Sequence, residues 1–183
     1  MDIKTEITKS KTGKTITLRA PTIEDAKALR VFMVEVAETA PYILSTADDF
    51  RSKSEDSEQN WIKRYQESNR DMIILAECDG KIVGNLDFST GIRFKNLHRG
   101  HLGMSIAPSL RGDGIGELLL RKLFAEVPRA EGITQIELSV MHPNTPAYNL
   151  YKKVGFMECG RKPNAFRLED GTFAEEISMY VTV

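Results

Sequence analysis

Residues 102–124 pass from an extended run to a helix through Arg111-Gly112-Asp113-Gly114-Ile115-Gly116. Residues 102–107 read as a strand ended by Pro108, and Glu117-Leu-Leu-Leu-Arg-Lys-Leu-Phe124 reads as a helix. Strand, glycine turn and helix in that order constrain the fold more than any other stretch. Glycine lets the backbone approach a ligand closely and take positive φ. A helix start offers unpaired N–H groups and the positive end of the dipole. Together they make a seat for phosphate, where the bland alternative is a strand-to-helix bend eased by glycine. No Lys-Ser/Thr follows the glycines, so a P-loop is not expected. The spacing is Gly-x-Gly-x-Gly, so a dinucleotide fold is not expected either. The Arg-Gly-Asp tripeptide falls where the chain turns into a helix, and no adhesion role is read from it.

The rest of the chain alternates strands and helices. Thr15-Ile-Thr-Leu-Arg19 alternates as a strand after a polar lead-in of residues 1–14 that reads as a short strand or turn. Pro21-Thr22 with Glu24 and Asp25 starts a helix that runs to about residue 37. Residues 38–54 show no clear period, and a second helix carrying Trp61, Ile62 and Tyr65 spans about 54–69. Residues 71–78 and 81–88 form a hairpin about Asp79-Gly80. Gly84 inside the second strand marks a bulge or a close backbone approach. Residues 98–107 make the next strand, 114–127 a helix, 133–141 a strand, and 144–154 a helix stopped by Gly155. Residues 156–159 and 175–181 are the last two strands. The chain of 183 residues is expected to be one α/β domain over 1–183.

Two motifs in series narrow the reading. Arg111, Gly114 and Gly116 fit Arg/Gln-x-x-Gly-x-Gly/Ala, and about thirty residues later comes Asn144-Thr-Pro-Ala147-Tyr-Asn-Leu150-Tyr151-Lys-Lys-Val-Gly155-Phe156. This pair resembles the pyrophosphate signature and the Asn-x-x-Ala-x-x-Leu-Tyr-x-Lys-x-Gly-Phe segment of the GNAT superfamily of N-acetyltransferases. The resemblance implies a mostly antiparallel central sheet flanked by helices, whose fourth and fifth strands run parallel and splay apart to admit acetyl-CoA. It implies that the backbone of Arg111, Gly112, Asp113, Gly114, Ile115 and Gly116 binds pyrophosphate, with Arg111 adding charge. The strand edge at Ser105, Ile106 and Ala107 would pair with the pantetheine arm, and an N–H near Ile106 would meet the oxyanion. Asn144 is a binding candidate whose local alternative is a helix N-cap. Tyr151, two helical turns on, is assigned as the proton donor to the leaving thiolate, with Tyr148 as backup and a plain aromatic core position as the alternative.

The base is less defined. His101 has a suitable intrinsic pKa, with a surface strand residue as the alternative. Glu137 and Ser139 are further candidates, His98 and His142 weaker ones, and proximity alone could serve. Between residues 38 and 58 acids outnumber bases, a surplus that could attract an amine or simply solvate a loop and a helix face. Tyr42 and Phe50 could line an acceptor pocket or pin the loop.

The expected activity is acetyl transfer from acetyl-CoA to a primary amine, of an amino acid or other small amine. A protein N-terminus is the alternative acceptor, and a non-catalytic acyl-CoA sensor the alternative of another class. A pocket closed by residues 38–54 favours a small amine; an open groove favours a protein. The net charge of −1 gives no reason to expect nucleic acid or an anionic membrane. Apolar runs are too short to span a bilayer and the N-terminus has no leader core. Two cysteines make no disulfide framework, and no His/Cys cluster has metal spacing, so a cytoplasmic protein without metal is expected. A homodimer is expected by analogy, with residues 175–181 pairing or packing across it.

Overall fold

The computed structural model describes residues 3–130 and 132–183. Met1 and Asp2, part of the terminus read as carrying no leader, lie outside these. Strands β1 (Glu6–Lys9) and β2 (Thr15–Arg19) form a hairpin. Helices α1 (Ala26–Thr39), α2 (Ala47–Ser52) and α3 (Glu55–Glu67) follow, then strands β3 (Met72–Cys78), β4 (Lys81–Thr90) and β5 (Arg99–Ile106). Helix α4 (Ile115–Glu126), β6 (Gln135–Met141), α5 (Thr145–Lys153), β7 (Met157–Arg167) and β8 (Phe173–Thr182) complete the chain. Among the described residues the strands make one eight-stranded sheet, ordered β1-β2-β3-β4-β5-β6-β8-β7. The β5–β6 pair is parallel and every other neighbouring pair antiparallel. The expected α/β fold is thus observed. The lead-in strand shifts the count, so the expected fourth and fifth strands are β5 and β6.

Strand β4 shows why helices can cover both faces of the sheet. Its side chains alternate. Gly84, Leu86 and Phe88 face α4, where a Cβ on Gly84 would lie 3.0 Å from Leu119 Cδ1 and 3.2 Å from Ile115 Cγ2. Both readings of Gly84 hold, because the β3–β4 register also shifts beside it, between Ala76 and Glu77. Asn85, Asp87 and Ser89 face the other way, toward α1 and α3, where the Tyr65 hydroxyl lies 2.6 Å from Ser89 Oγ. Helix α1 buries Ala26, Leu29, Phe32 and Val36, spaced for one helical face. Arg19 locks α1 to the sheet, bonding Asp25 at 2.7 Å and Glu77 on β3 at 2.8 Å.

Three departures from the sequence reading have local causes. Residues 47–52 form α2, capped by Thr46 and Asp49: Asp49 Oδ2 accepts from the Thr46 N–H at 2.7 Å, and Thr46 Oγ1 from the Asp49 N–H at 3.2 Å. Strand β7 runs to Arg167, well past residue 159, because it is an edge strand, where Pro163 costs no ladder bond and register shifts absorb Asn164 at φ +53°. Strand β8 lies inside the sheet between β6 and β7, so β7 occupies the edge through which β8 was expected to pair with a second copy.

Candidate active site

Strands β5 and β6 pair only over Arg99↔Gln135, Gly100↔Ile136 and His101↔Glu137. Beyond His101 they diverge, and β6 continues paired with β8. The backbone direction of β5 decides what faces the gap. Ala107 N–H donates to Val83 O at 2.9 Å, and Gly91 N–H to Arg99 O at 3.0 Å, so odd positions point to β4. His98 O accepts from Thr134 N–H on the opposite side. By alternation Leu102, Met104 and Ile106 turn their N–H and C=O groups into the gap. An extended ligand arm fits this edge.

The glycine turn closes one end of the gap. Gly112 and Gly114 take φ of +83° and +88°, the left-handed region that glycine enters without a steric cost. Among the described residues no backbone carbonyl accepts from the N–H of Gly112, Gly114, Ile115 or Gly116. These donors gather at the start of α4, where the dipole adds positive potential. Gly116 faces Leu150 and Met104: an added Cβ would stand 2.7 Å from Leu150 Cδ2. The Asp113 side chain looks away from the gap. Its carboxylate accepts from Thr12 N–H and Thr12 Oγ1, both at 2.8 Å, fastening the β1–β2 turn against the glycine turn. The Arg111 guanidinium reaches Thr39 O and Oγ1, both at 3.1 Å, at the end of α1. A cleft of about 330 Å³ beside the turn is rimmed by Lys9, Lys11, Arg121 and Lys153, the last two sharing Glu117.

Helix α5 supplies the other wall. Asn144 Oδ1 caps it, accepting from Ala147 N–H at 3.3 Å, so the N-cap reading holds. The Asn144 amide N–H₂ has no partner among the described residues. Tyr151 is 6% exposed and meets Phe156 edge-on at 5.7 Å. Its hydroxyl has no hydrogen-bond partner among the described residues, and burial pushes it up to about 12. Tyr148 instead donates to Glu158 Oε2 at 3.2 Å, within a surface cluster with Arg161 and Glu175, and so is turned from the gap.

The base candidates separate. His101 lies in a cleft of about 230 Å³ with Ser89, Thr90, Asn96, Arg99 and Glu137. Desolvation lowers its pKa against the raising influence of Glu137 and Glu176. Glu137 is engaged by Arg99 at 2.9 Å and Gln135 at 2.6 Å. Ser139 is exposed opposite Ser178. His98 and His142 hold their neighbours through backbone bonds, His98 to Thr134 and His142 to Glu175. The acid surplus of residues 38–58 is largely spent: Arg51 pairs with Glu38 and Asp48, Lys53 with Glu58, and Asp49 caps α2. Phe50 is buried and pins the loop, while Tyr42 is half-buried.

One carboxylate was passed over in the sequence. Asp87 on β4 pairs with Gly103 on β5, one pleat from Ser89 and His101. Burial pushes its pKa up to about 6, against its own backbone amide, Arg64 and Lys53. The available signal was Asn85-Leu-Asp87-Phe-Ser89, polar at every second position of a strand whose other face is core.

Residues 36–156 match the acetyltransferase (GNAT) family. The L-amino acid N-acetyltransferase AaaT of Escherichia coli K12 is 25% identical over 123 residues, covering 67% of this chain and 75% of that protein. Streptothricin acetyltransferase of Streptomyces lavendulae is 28% identical over 160 residues, covering 87% and 77%. The crystal structure of a GNAT-family acetyltransferase from Streptococcus pneumoniae superposes with a TM-score of 0.87 at 23% identity, over 92% of this chain and 99% of that one. The splayed strands, the glycine turn and the family match lead to one conclusion: the chain belongs to the acetyltransferase (GNAT) family and is an acetyl-CoA-dependent N-acetyltransferase.

Proposed function

We propose that this protein acetylates the primary amine of a small molecule, by direct attack of the amine on the thioester, with Tyr151 as general acid. The observation that carries the reading is Tyr151, a residue 6% exposed whose hydroxyl has no hydrogen-bond partner among the described residues, on the helix whose Leu150 packs against the glycine turn at Gly116. The N–H groups of Gly112, Gly114, Ile115 and Gly116 hold the pyrophosphate, and the basic rim of Lys9, Lys11, Arg121 and Lys153 favours the same charge. Met104 and Ile106 offer main-chain donors along β5, to the pantetheine arm and to the carbonyl oxygen as it gains charge. The free Asn144 amide donates to the same arm. Tyr151 keeps its proton throughout the neutral range and hands it to sulfur as the C–S bond breaks. A small acceptor is supported by residues 47–52, which are ordered as the capped helix α2 with Phe50 buried. An amino acid substrate in one relative and streptothricin in another agree with a small acceptor, while a third relative is an N-alpha-acetyltransferase.

The test is thiol release from acetyl-CoA against amino acids, polyamines, aminoglycosides and short peptides with free α-amines. Turnover with one small-molecule class, at least tenfold above the peptides, is expected. Turnover confined to peptides would replace the acceptor reading with a protein N-terminus. Acetyl-CoA binding with no turnover across a panel that includes peptides would favour the sensor.

A further inference from the structure

We infer that Asp87 and Asn85, on the face of β4 turned toward α1 and α3, form a subsite for the acceptor's ammonium group, and that Asp87 is the proton acceptor for it. The inference rests on the proposed amine chemistry and gives that site its missing base.

The geometry has three parts. First, the Asp87 carboxylate stands over Gly103, where an added Cβ would lie 3.0 Å from Asp87 Oδ1; only glycine leaves it that room. Second, the half-buried Asp87 carboxylate makes no ion pair and accepts no hydrogen bond from another side chain among the described residues; its own backbone N–H is the donor it has. Third, Asn85 is 4% exposed on the same face, and its Oδ1 is buried without a donor. Two acceptors two residues apart, one without a donor and one without a side-chain counter-ion, ask for a group with several N–H bonds. A primary ammonium has three.

Placement favours the same ligand. Asp87 and Asn85 sit opposite Gly103 and Ser105 of β5, the strand whose other edge faces the β5–β6 gap. A cleft lies at Ser89 and His101, one pleat along from Asp87 and Gly103. The charged and titratable groups facing Asp87 are few. Arg64 and Tyr65 come from α3 and Lys53 from the α2–α3 link. The strand partners are Ile73 and Gly103, and His101 lies one pleat along β5. Helix α1 presents Leu29, Phe32 and Val36. None of these supplies a hydrogen-bonded counter-ion, so the position is left for a ligand.

The proton balance closes. The ammonium gives one proton to Asp87 and becomes a neutral amine. Its lone pair forms the C–N bond as the C–S bond breaks. The sulfur takes the Tyr151 proton, and the second nitrogen proton restores Tyr151. Asp87 releases its proton to solvent, so the net products are amide, thiol and one proton.

The experiment titrates n-butylammonium chloride into the protein saturated with coenzyme A, by calorimetry at pH 7.5, for wild type, Asp87→Asn and Arg64→Gln. Wild type is expected to bind, and Asp87→Asn to bind at least tenfold more weakly with unchanged coenzyme A affinity and cooperative unfolding. Arg64→Gln should keep the site and, in turnover, move the acid limb of kcat/KM to higher pH from about 6. Equal butylammonium binding by Asp87→Asn, or none by wild type, would overturn the subsite. So would an acid limb unmoved in Arg64→Gln and still present in Asp87→Asn. Binding that depends on Asp87 without any acetylated amine would sink the acetyltransfer reading and leave the subsite standing. Undiminished turnover by Asp87→Asn would do the reverse.

Discussion

Tyr151 gains from burial the one property a proton donor needs, a hydroxyl that stays protonated. With its pKa pushed up to about 12, it is in the acid form at any pH the protein meets. The cost is driving force, since a thiol near ~8.5 is the stronger acid until the dry gap makes its thiolate more basic. Tyr151→Phe keeps the ring contact with Phe156 and removes only the proton. We expect kcat to fall on the order of 10²-fold with acetyl-CoA affinity unchanged, read by steady-state kinetics and calorimetry. Asp87 shows the opposite bargain, a charge held where it is unwelcome. Its folded pKa lies above the unfolded ~3.9, so the folded state binds the proton more tightly. The sign follows: no cost below about pH 4, a growing cost as pH rises through about 6, and a constant cost above. Asp87→Asn should therefore stabilise the ligand-free protein at pH 8 by up to about 3 kcal/mol while changing little at pH 4, measured by denaturant unfolding. Tyr151 was marked as a candidate by its motif. Asp87 was not marked, because no motif holds it and its setting depends on Gly103 of β5 and Arg64 of α3, which lie far from it in sequence.

At the scale of elements, the turn before α4 and the strand before the turn set the site. Gly114 at φ +88° is the N-cap of α4 and would meet Lys11 Cγ at 3.2 Å with a Cβ. Gly114→Ala should cost about 1–2 kcal/mol in unfolding free energy and weaken acetyl-CoA binding, because the turn's N–H groups are re-aimed. Gly114→Glu should abolish that binding, and unimpaired binding would overturn the phosphate seat. Gly100 on β5 tolerates no side chain, since a Cβ would overlap the Phe88 ring. Gly100→Ala is expected to lower stability by about 1–3 kcal/mol, visible as a drop in Tm. Sequence patterning found the elements with a clear period or a glycine or cap punctuation: α1, α3, α4, α5, the β3–β4 hairpin and the strands β2, β5 and β6. It missed α2, whose six residues carry one buried side chain, Phe50, and so no period; the capping pair Thr46 and Asp49 was its only mark. It shortened β7, because an edge strand with a proline and two register shifts has no alternation to read.

The whole molecule joins these elements into a two-sided device, in which one sheet separates α4 on one face from α1 and α3 on the other. The gap between β5 and β6 opens the sheet edge-on, and β5 separates it from the polar stripe Asn85, Asp87 and Ser89 on β4. Sequence order predicted the splay only through the family resemblance, since strand pairing is a long-range property with no local signature. The acid surplus of residues 38–58 shows the same limit: its net charge was visible, but its pairing to Arg51 and Lys53 was not. The proposed reaction is attack of a small amine on acetyl-CoA in this gap, with Tyr151 delivering the proton. Its most direct measurement is kcat for the best small-molecule acceptor in wild type and Tyr151→Phe, with acetyl-CoA affinity measured on the same samples. A fall of about 10²-fold in kcat at equal affinity is expected. Equal kcat in the two proteins would contradict it.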